Sequence, residues 1–401
     1  MRPAEIVNAS PHARIGVPGA VVLLALGMFA IGADGFVIAG ILPDLAAGLN
    51  VSLPQVGLLV SAFALTYAIS APVLGAMLGG KPLRTILIAS MGMFAIANLA
   101  AALTHHYAWL LTWRLVASVS AAAYSPAAVA GAINLFPPEK RAQASSFVLG
   151  GLTVALVTAV PLGALLASIS SWRATFALIA ALAAIATAAL WWVMPASVQS
   201  RHLSLKERLS PLQNRAVLWA LSSCFVWMAG GVATYTFIVP ISQTASGWAA
   251  DKVGLVLLIY GAAAILGNFM GGRISDRLKS PELALRYFLL VHLSSLLLMS
   301  FSVFIGPTAG AWLLPVAVAI FAASGWACAS PQASRLVSLS PTHAVQVIAL
   351  NTMATYLGMA AGAALAGALS SYGALILIPL AGAVTQCIAI WMLATRGEQR
   401  S

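Results

Sequence analysis

The sequence predicts an all-α membrane protein with twelve spanning helices folded as two pseudo-symmetric bundles of six. Three observations lead there. Of the 401 residues, 61% are hydrophobic and only 7% are charged, against roughly 25% charged in soluble domains. The apolar residues fall into twelve runs, each near the 20 or so residues that cross a bilayer as helix. The two halves of the chain also repeat. Continuous apolar runs, rather than alternating ten-residue segments, select helices over a barrel.

The runs lie at about 16–42, 54–78, 84–104, 107–134, 142–168, 173–194, 216–242, 252–274, 284–306, 310–336, 346–368 and 374–396. They imply a tail at 1–15, a bundle at 16–194, a linker at 195–215, a second bundle at 216–396 and a tail at 397–401. Glu5 and Pro11 interrupt the N-terminus, so it does not read as a cleaved signal peptide. Net charge is +11, and seventeen of the twenty Lys and Arg fall in the tails and in the loops after runs 2, 4, 6, 8 and 10. That asymmetry is topological rather than a nucleic-acid footprint, and it predicts cytoplasmic termini. Trp109, Trp172, Trp248 and Trp312 stand near the opposite helix ends, where an aromatic belt belongs.

The first run carries one charge, Asp34, within Gly32-Ala-Asp-Gly-Phe-Val-Ile-Ala-Gly-Ile-Leu-Pro43. An ionised carboxylate inside a bilayer is costly, so Asp34 is expected to titrate, pair or line a wet cavity. The fourth run holds the other deep charge, Arg114. Counting from the helix ends at 1.5 Å per residue puts Asp34 about 12 Å and Arg114 about 10 Å from the outer ends. The two can therefore pair or share a water. Burial and a neighbouring cation push a carboxylate in opposite directions, which poises Asp34 for proton coupling, with Arg114 as its modulator.

The loop after run 8 reads Gly272-Arg-Ile-Ser-Asp-Arg277, and Asp276 is placed to cap a helix N-terminus of the other bundle as a cytoplasmic gate. The matching loop after run 2 keeps Gly75, Lys81 and Arg84 but has Gly79 and Gly80 where the Asp-Arg pair would stand. Run 5 contains Pro161 and Gly163, a kink site and a close-packing site; run 11 answers with Gly358, Gly362 and Gly367. The repeat is visible at an offset of 197 residues: Val56-Gly57-Leu58 on Val253-Gly254-Leu255, Phe63 on Tyr260 and Gly75 on Gly272. Near an offset of 200, Ser170-Ser171-Trp172 meets Ser370-Ser371-Tyr372. Parallel repeats of this kind build transporters with a midplane site between the halves.

Candidate substrate-lining residues are Phe36, Tyr67, Tyr124, Trp227, Tyr235, Tyr260, Asn268, Gln332, Asn351 and Tyr356. Aromatics with few amides and hydroxyls suit an amphipathic organic molecule. His292 is expected to be hydrogen-bonded packing. His105 and His106 have no carboxylate or cysteine beside them, and Cys224, Cys328 and Cys387 lack ligand spacing, so no metal and no disulfide framework is expected.

These residues resemble the major facilitator superfamily, in its drug:proton antiporter branch of arabinose-efflux-permease and chloramphenicol-resistance type. The stretch 32–43 looks like that branch's first-helix signature, and Leu111-Thr-Trp-Arg114 like its fourth-helix motif, with Ala117 and Ser118 replacing glutamine and glycine. Val160-Pro-Leu-Gly163 is similar to the fifth-helix antiporter motif, with Ala159 for a glycine, and Gly272 to Arg277 matches the gate motif. Ser171-Trp-Arg173 followed by Phe176 also fits. Many relatives carry glutamate after the aspartate, where this chain has Gly35. The resemblance implies alternating access in a bacterial inner membrane, with protons exchanged for a small organic compound. It further implies no cofactor beyond the proton motive force, and function as a monomer. A proton-coupled importer or facilitator of sugars or nucleosides fits the same fold. A membrane enzyme lacks any clustered acid–base or metal set, and a non-transporting receptor or scaffold leaves the duplication and the buried charges unexplained.

Overall fold

A computed structural model describes residues 17–195, 203–248 and 250–397. The expected tail at 1–15, linker residues 196–202 with Arg201, and residues 398–401 lie outside the described residues. Among the described residues, twelve helical spans are long and apolar enough to cross a membrane. Their outer faces expose large apolar side chains such as Ile69, Ile96, Ile185, Leu290 and Trp391, as contact with lipid requires. This is a multi-pass membrane protein.

The first bundle comprises α1 (Val17–Leu49), α2 (Leu53–Met77), α3 (Leu83–Leu103), α4 (Tyr107–Leu135), α5 (Arg141–Ile169) and α6 (Trp172–Val193). A short linker helix, α7 (Leu205–Leu209), leads to the second bundle. That bundle comprises α8 (Arg215–Thr236), α9 (Ile238–Ser246), α10 (Ala250–Leu278), α11 (Pro281–Ile305), α12 (Pro307–Ala327), α13 (Ala329–Leu339), α14 (Ala344–Ser371) and α15 (Leu377–Gly397). The linker face and the distal face name the two sides below.

Three runs fold differently from the sequence reading. The run ending at Leu42 continues as helix to Leu49, through Pro43 and Asp44. Proline removes one backbone hydrogen bond, but Leu45 is fully buried, and that packing carries the helix on. Asp34 therefore sits near the middle of α1 rather than two turns from its end. The run 216–242 is broken at Phe237 (φ −104°, ψ 20°) into α8 and α9, and α9 stops at Gly247 in the left-handed region (φ 64°). The run 310–336 is offset at Cys328 into α12 and α13. The aromatic belt is also partial: Trp109 and Trp312 are exposed, whereas Trp172 is buried against Phe176.

Small residues set the helix spacing, since apolar helices gain little by leaving lipid and associate through close packing. Along α1 and α5, Gly151 lies against the Ala25 carbonyl and Gly163 against Val37. The corresponding pair in the second bundle is α8 with α14, where Gly358 and Gly362 abut the carbonyls of Phe225 and Ala229. Between bundles, α2 packs on α14 and α5 on α10.

The interior is not symmetric between faces. One apolar core joins the first bundle to the distal half of the second, through Phe237, Ile241, Leu257, Phe321, Ala363 and Ala366. The linker-side half of the second bundle has a separate core, including Val217, Trp227, Leu285, Leu336 and Val347, with no buried residue from the first bundle among those described. The bundles are thus joined at the distal face and apart at the linker face.

Replacing Gly151 by alanine is expected to lower the thermal midpoint of the detergent-solubilised protein by several degrees. The new methyl would collide with the Ala25 backbone, and overpacking costs about 1–3 kcal/mol. Gly150→Ala, one position away with no atom within 4 Å of the added carbon, should leave the midpoint unchanged or higher; equal losses in both would remove the packing explanation.

Candidate functional site

Asp34 and Arg114 meet as a buried ion pair: the Arg114 Nη1 donates to Asp34 Oδ1, with Asp34 fully buried and Arg114 1% exposed. The Nη2 reaches the Asp34 backbone carbonyl at 3.4 Å. Aromatic rings cover the guanidinium, Phe63 of α2 at 4.4 Å and Phe176 of α6 at 6.0 Å from its central carbon. One turn along α4, Ser118 donates to the Phe63 carbonyl at 2.6 Å, which fixes α4 on α2. Asp34 Oδ2 and Arg114 Nε have no hydrogen-bond partner among the described residues. An oxygen in that state can accept a proton without first breaking another bond.

Beside Asp34 a small crevice is lined by Gly35, Phe36 and Ala39 of α1, Val60 of α2, Val232, Tyr235 and Thr236 of α8, and Met359 of α14. It therefore lies between the bundles. A carbon added at Gly35 would meet nothing within 4 Å, so the missing side chain leaves open space. Aromatic rings wall this region. Phe36 stands edge-on to Tyr235 and to Trp326, at 5.9 and 6.0 Å. Tyr235 leans on Tyr260 at 4.6 Å. Tyr67 stacks on Tyr356 across the α2–α14 contact at 3.8 Å. The Tyr235 hydroxyl donates to the Phe36 carbonyl, a polar contact joining the bundles at 3.2 Å.

Of the ten candidate lining residues, the structure brings Phe36, Tyr67, Tyr235, Tyr260 and Tyr356 to the bundle interface. Four others are committed within one bundle. Tyr124 is fully buried, its hydroxyl on the Leu24 carbonyl at 3.2 Å. Trp227 belongs to the linker-side core of the second bundle. Gln332 and Asn351 bond each other at 3.2 Å, and Gln332 also bonds the Ala220 carbonyl at 3.1 Å. Asn268 is exposed on α10. Helical periodicity alone does not say which face of a uniformly apolar helix turns inward, so sequence could not separate these five from the rest.

The gate residues divide similarly. Asp276 and Arg277 lie in the last turn of α10 rather than in a loop, and both are exposed. The Asp276 side chain makes no ion pair with another described residue. Among the described residues no hydrogen bond from the Asp276 side chain to a helix N-terminus of the first bundle is present. Gly272 packs near Ser330. Arg84 donates to the Trp191 carbonyl at 2.6 Å and lies over that ring, tying α3 to α6 inside the first bundle. Gly163 takes the Thr175 hydroxyl on its carbonyl at 2.9 Å, and Pro161 precedes it within α5.

Sequence reasoning missed the Glu282–Arg335 ion pair at 3.2 Å on the linker face, and the contact of Arg208 with Gly75. Both residues of the first pair sit at helix ends, where charge is ordinary, so nothing in their pattern marked them. His292 is buried as expected, its Nδ1 3.1 Å from both the Phe321 carbonyl and the Ser324 hydroxyl. No group of three His, Cys, Asp or Glu that could hold a metal occurs among the described residues.

The family model of the Major Facilitator Superfamily matches residues 24–363. The chain belongs to that superfamily. As one of its transporters it is 28% identical over 371 residues to the inner membrane transport protein YdhP of Escherichia coli, covering 92% of this chain and 94% of that one. It is 31% identical over 266 residues to a chloramphenicol resistance protein of Streptomyces lividans, covering 65% and 68%. The fold matches the crystal structure of a bacterial homologue of the human lysosomal transporter Spinster, solved in an inward-facing, unoccupied conformation. That match has a TM-score of 0.75 at 19% identity, covering 97% and 98% of the two chains.

The ion pair makes its own prediction. Asp34→Asn or Arg114→Gln alone leaves one charge buried without its counter-charge, which should cost about 3–5 kcal/mol of stability. The double variant should cost clearly less than the sum of the two. Unfolding midpoints of the four proteins in one detergent check this; additive losses would mean that the pair does not act as a unit.

Proposed function

We propose that this transporter performs proton-coupled efflux of a small amphipathic organic compound across a bacterial inner membrane by alternating access. The observation that carries the reading is the buried Asp34–Arg114 pair, one residue from a crevice that lies between the bundles. The basic residues of the linker and of the adjoining loops support a cytoplasmic linker face. The arrangement described here is then open inward, where a solute from the cell reaches the aromatic walls.

The exchange follows from charge. While Asp34 is ionised, its attraction to Arg114 holds α1 against α4. A proton arriving on the unpartnered Oδ2 neutralises the carboxylate and removes most of that attraction. The guanidinium then relies on Phe63 and on the Asp34 carbonyl. Substrate and proton need not share a contact; they need opposite preferences between two arrangements of the bundles. The walls are aromatic and aliphatic with a few hydroxyls, which suits an amphipathic solute. The likeness to a chloramphenicol resistance protein supports an antibiotic-like compound.

In inverted vesicles with an acid interior, chloramphenicol and a panel of amphipathic drugs are added while the pH gradient is followed. A substrate is expected to discharge the gradient with the wild-type protein and to fail with Asp34→Asn, whose folding is checked by gel filtration. Movement of a compound with no movement of protons would replace antiport by facilitated transport.

A further inference from the structure

The segment between the bundles is built to hold both of them. Ser204 caps α7: its hydroxyl accepts the Glu207 N–H at 3.3 Å, while Glu207 Oε2 accepts the Ser204 N–H at 2.8 Å. That reciprocal box steadies a turn too short to persist alone. Arg208, in the same turn, donates from Nη2 to the Gly75 carbonyl at 2.7 Å and from Nε to the Leu203 carbonyl at 3.2 Å. Because α2 ends at Met77, the Gly75 carbonyl is among those the helix leaves without an internal partner. A cation there also meets the negative end of the helix dipole. A β-carbon on residue 75 would stand 2.7 Å from Arg208 Nη1, so a larger residue there makes the guanidinium shift from its present position.

The following residues grip the second bundle. Leu209 and Leu212 pack on its linker-side core, and Pro211 is buried. The Asn214 side-chain amide donates to the Leu339 carbonyl at 3.3 Å. Between these two anchorages α7 touches both α2 and α14, the helices joined across the bundles in their distal halves. On the linker face the ends of α2 and α14 therefore cannot close on each other while α7 occupies its seat.

We propose that residues 203–214 form a releasable strap that holds the linker face open, with the Arg208–Gly75 contact as its catch. The proposal rests on the alternating-access part of the functional reading and on nothing in its proton chemistry. Closing the linker face would push α7 from its seat and part Arg208 from the Gly75 carbonyl, and opening it would let the contact form again. The catch also gives a role to the loop after α2, where Gly79 and Gly80 replace the Asp-Arg pair that the second half keeps as Asp276 and Arg277.

The test uses spin labels at positions 140 and 283, both exposed near the linker face, with Cys224, Cys328 and Cys387 replaced by alanine. Distances are measured by double electron–electron resonance in nanodiscs without substrate or pH gradient. Arg208→Gln removes the charged donor, and Gly75→Ala crowds its seat without changing charge. Each is expected to lower the ratio of long to short distances by roughly three- to tenfold, the order expected for losing one half-exposed hydrogen bond. Lys206→Gln, on the exposed side of the same turn, should match the parent. Unchanged distributions in both catch variants, or an equal shift in Lys206→Gln, would overturn the strap. Because no pH gradient or substrate is present, that failure would leave antiport standing, and failure of antiport in vesicles would leave the strap standing.

Discussion

A carboxylate and a guanidinium buried together in an apolar wall constrain everything packed around them. Taking either charge alone into that setting costs several kcal/mol, and their mutual attraction repays it only when geometry is held. The surrounding structure supplies the holding. Ser118 locks α4 onto α2, Phe63 and Phe176 flank the guanidinium, and Gly163 lets α5 press on Val37, one turn beyond Asp34. The pair is also incompletely satisfied, with Oδ2 and Nε left over. A fully bonded pair would be a rivet. One with a spare acceptor oxygen can be undone by a proton.

Movement also requires that parts of the molecule stay rigid. Within each bundle the helices approach backbone to backbone: α1 on α5 through Gly151, and α8 on α14 through Gly358 and Gly362. Contacts of that kind tolerate no sliding, because a shift brings side chains into the space the glycines vacate. Between the bundles Gly261 of α10 also meets the α5 backbone at Val157, but the remaining contacts are larger and softer. They consist of ring on ring, as in Tyr67 on Tyr356 and Phe36 against Tyr235, with one hydroxyl bond at 3.2 Å. Most of the stiff seams lie inside each half, and the ring contacts that can yield lie between halves, a division that suits rocking of two bodies about the close α5–α10 approach.

The sequence showed much of this and hid the rest for identifiable reasons. Twelve spans were legible because a bilayer imposes length and apolarity. Asp34 and Arg114 were legible because charge at depth is rare, and the structure joins them. The end of α1 was not legible, since a Pro43-Asp44 step reads as a stop until the buried Leu45 is known. The lining was half legible. Aromatic identity marked ten residues, but only orientation separates Tyr235, on the crevice, from Tyr124, whose hydroxyl is spent on Leu24. Arg208 was invisible as anything but one charge in a basic linker, because its partner is a backbone carbonyl 133 residues away.

The duplicated halves have diverged where they meet the linker. Phe63 and Tyr260 occupy matching places in the repeat, yet one covers Arg114 and the other joins the ring cluster at the bundle interface. Gly75 and Gly272 also match, but Gly75 receives Arg208 whereas Gly272 rests near Ser330. The second bundle keeps its charges close to home, with Glu282 on Arg335 at 3.2 Å. The first bundle lost the acidic residue of its loop, and its helix end is served by a cation from the linker instead. A linker joined to the second bundle through Leu212 and Asn214 thereby serves the end of α2 with a charged donor on a helix carbonyl. Such a contact is strong enough to bias two arrangements and weak enough to break in each cycle, which a second apolar core at the same place would not be.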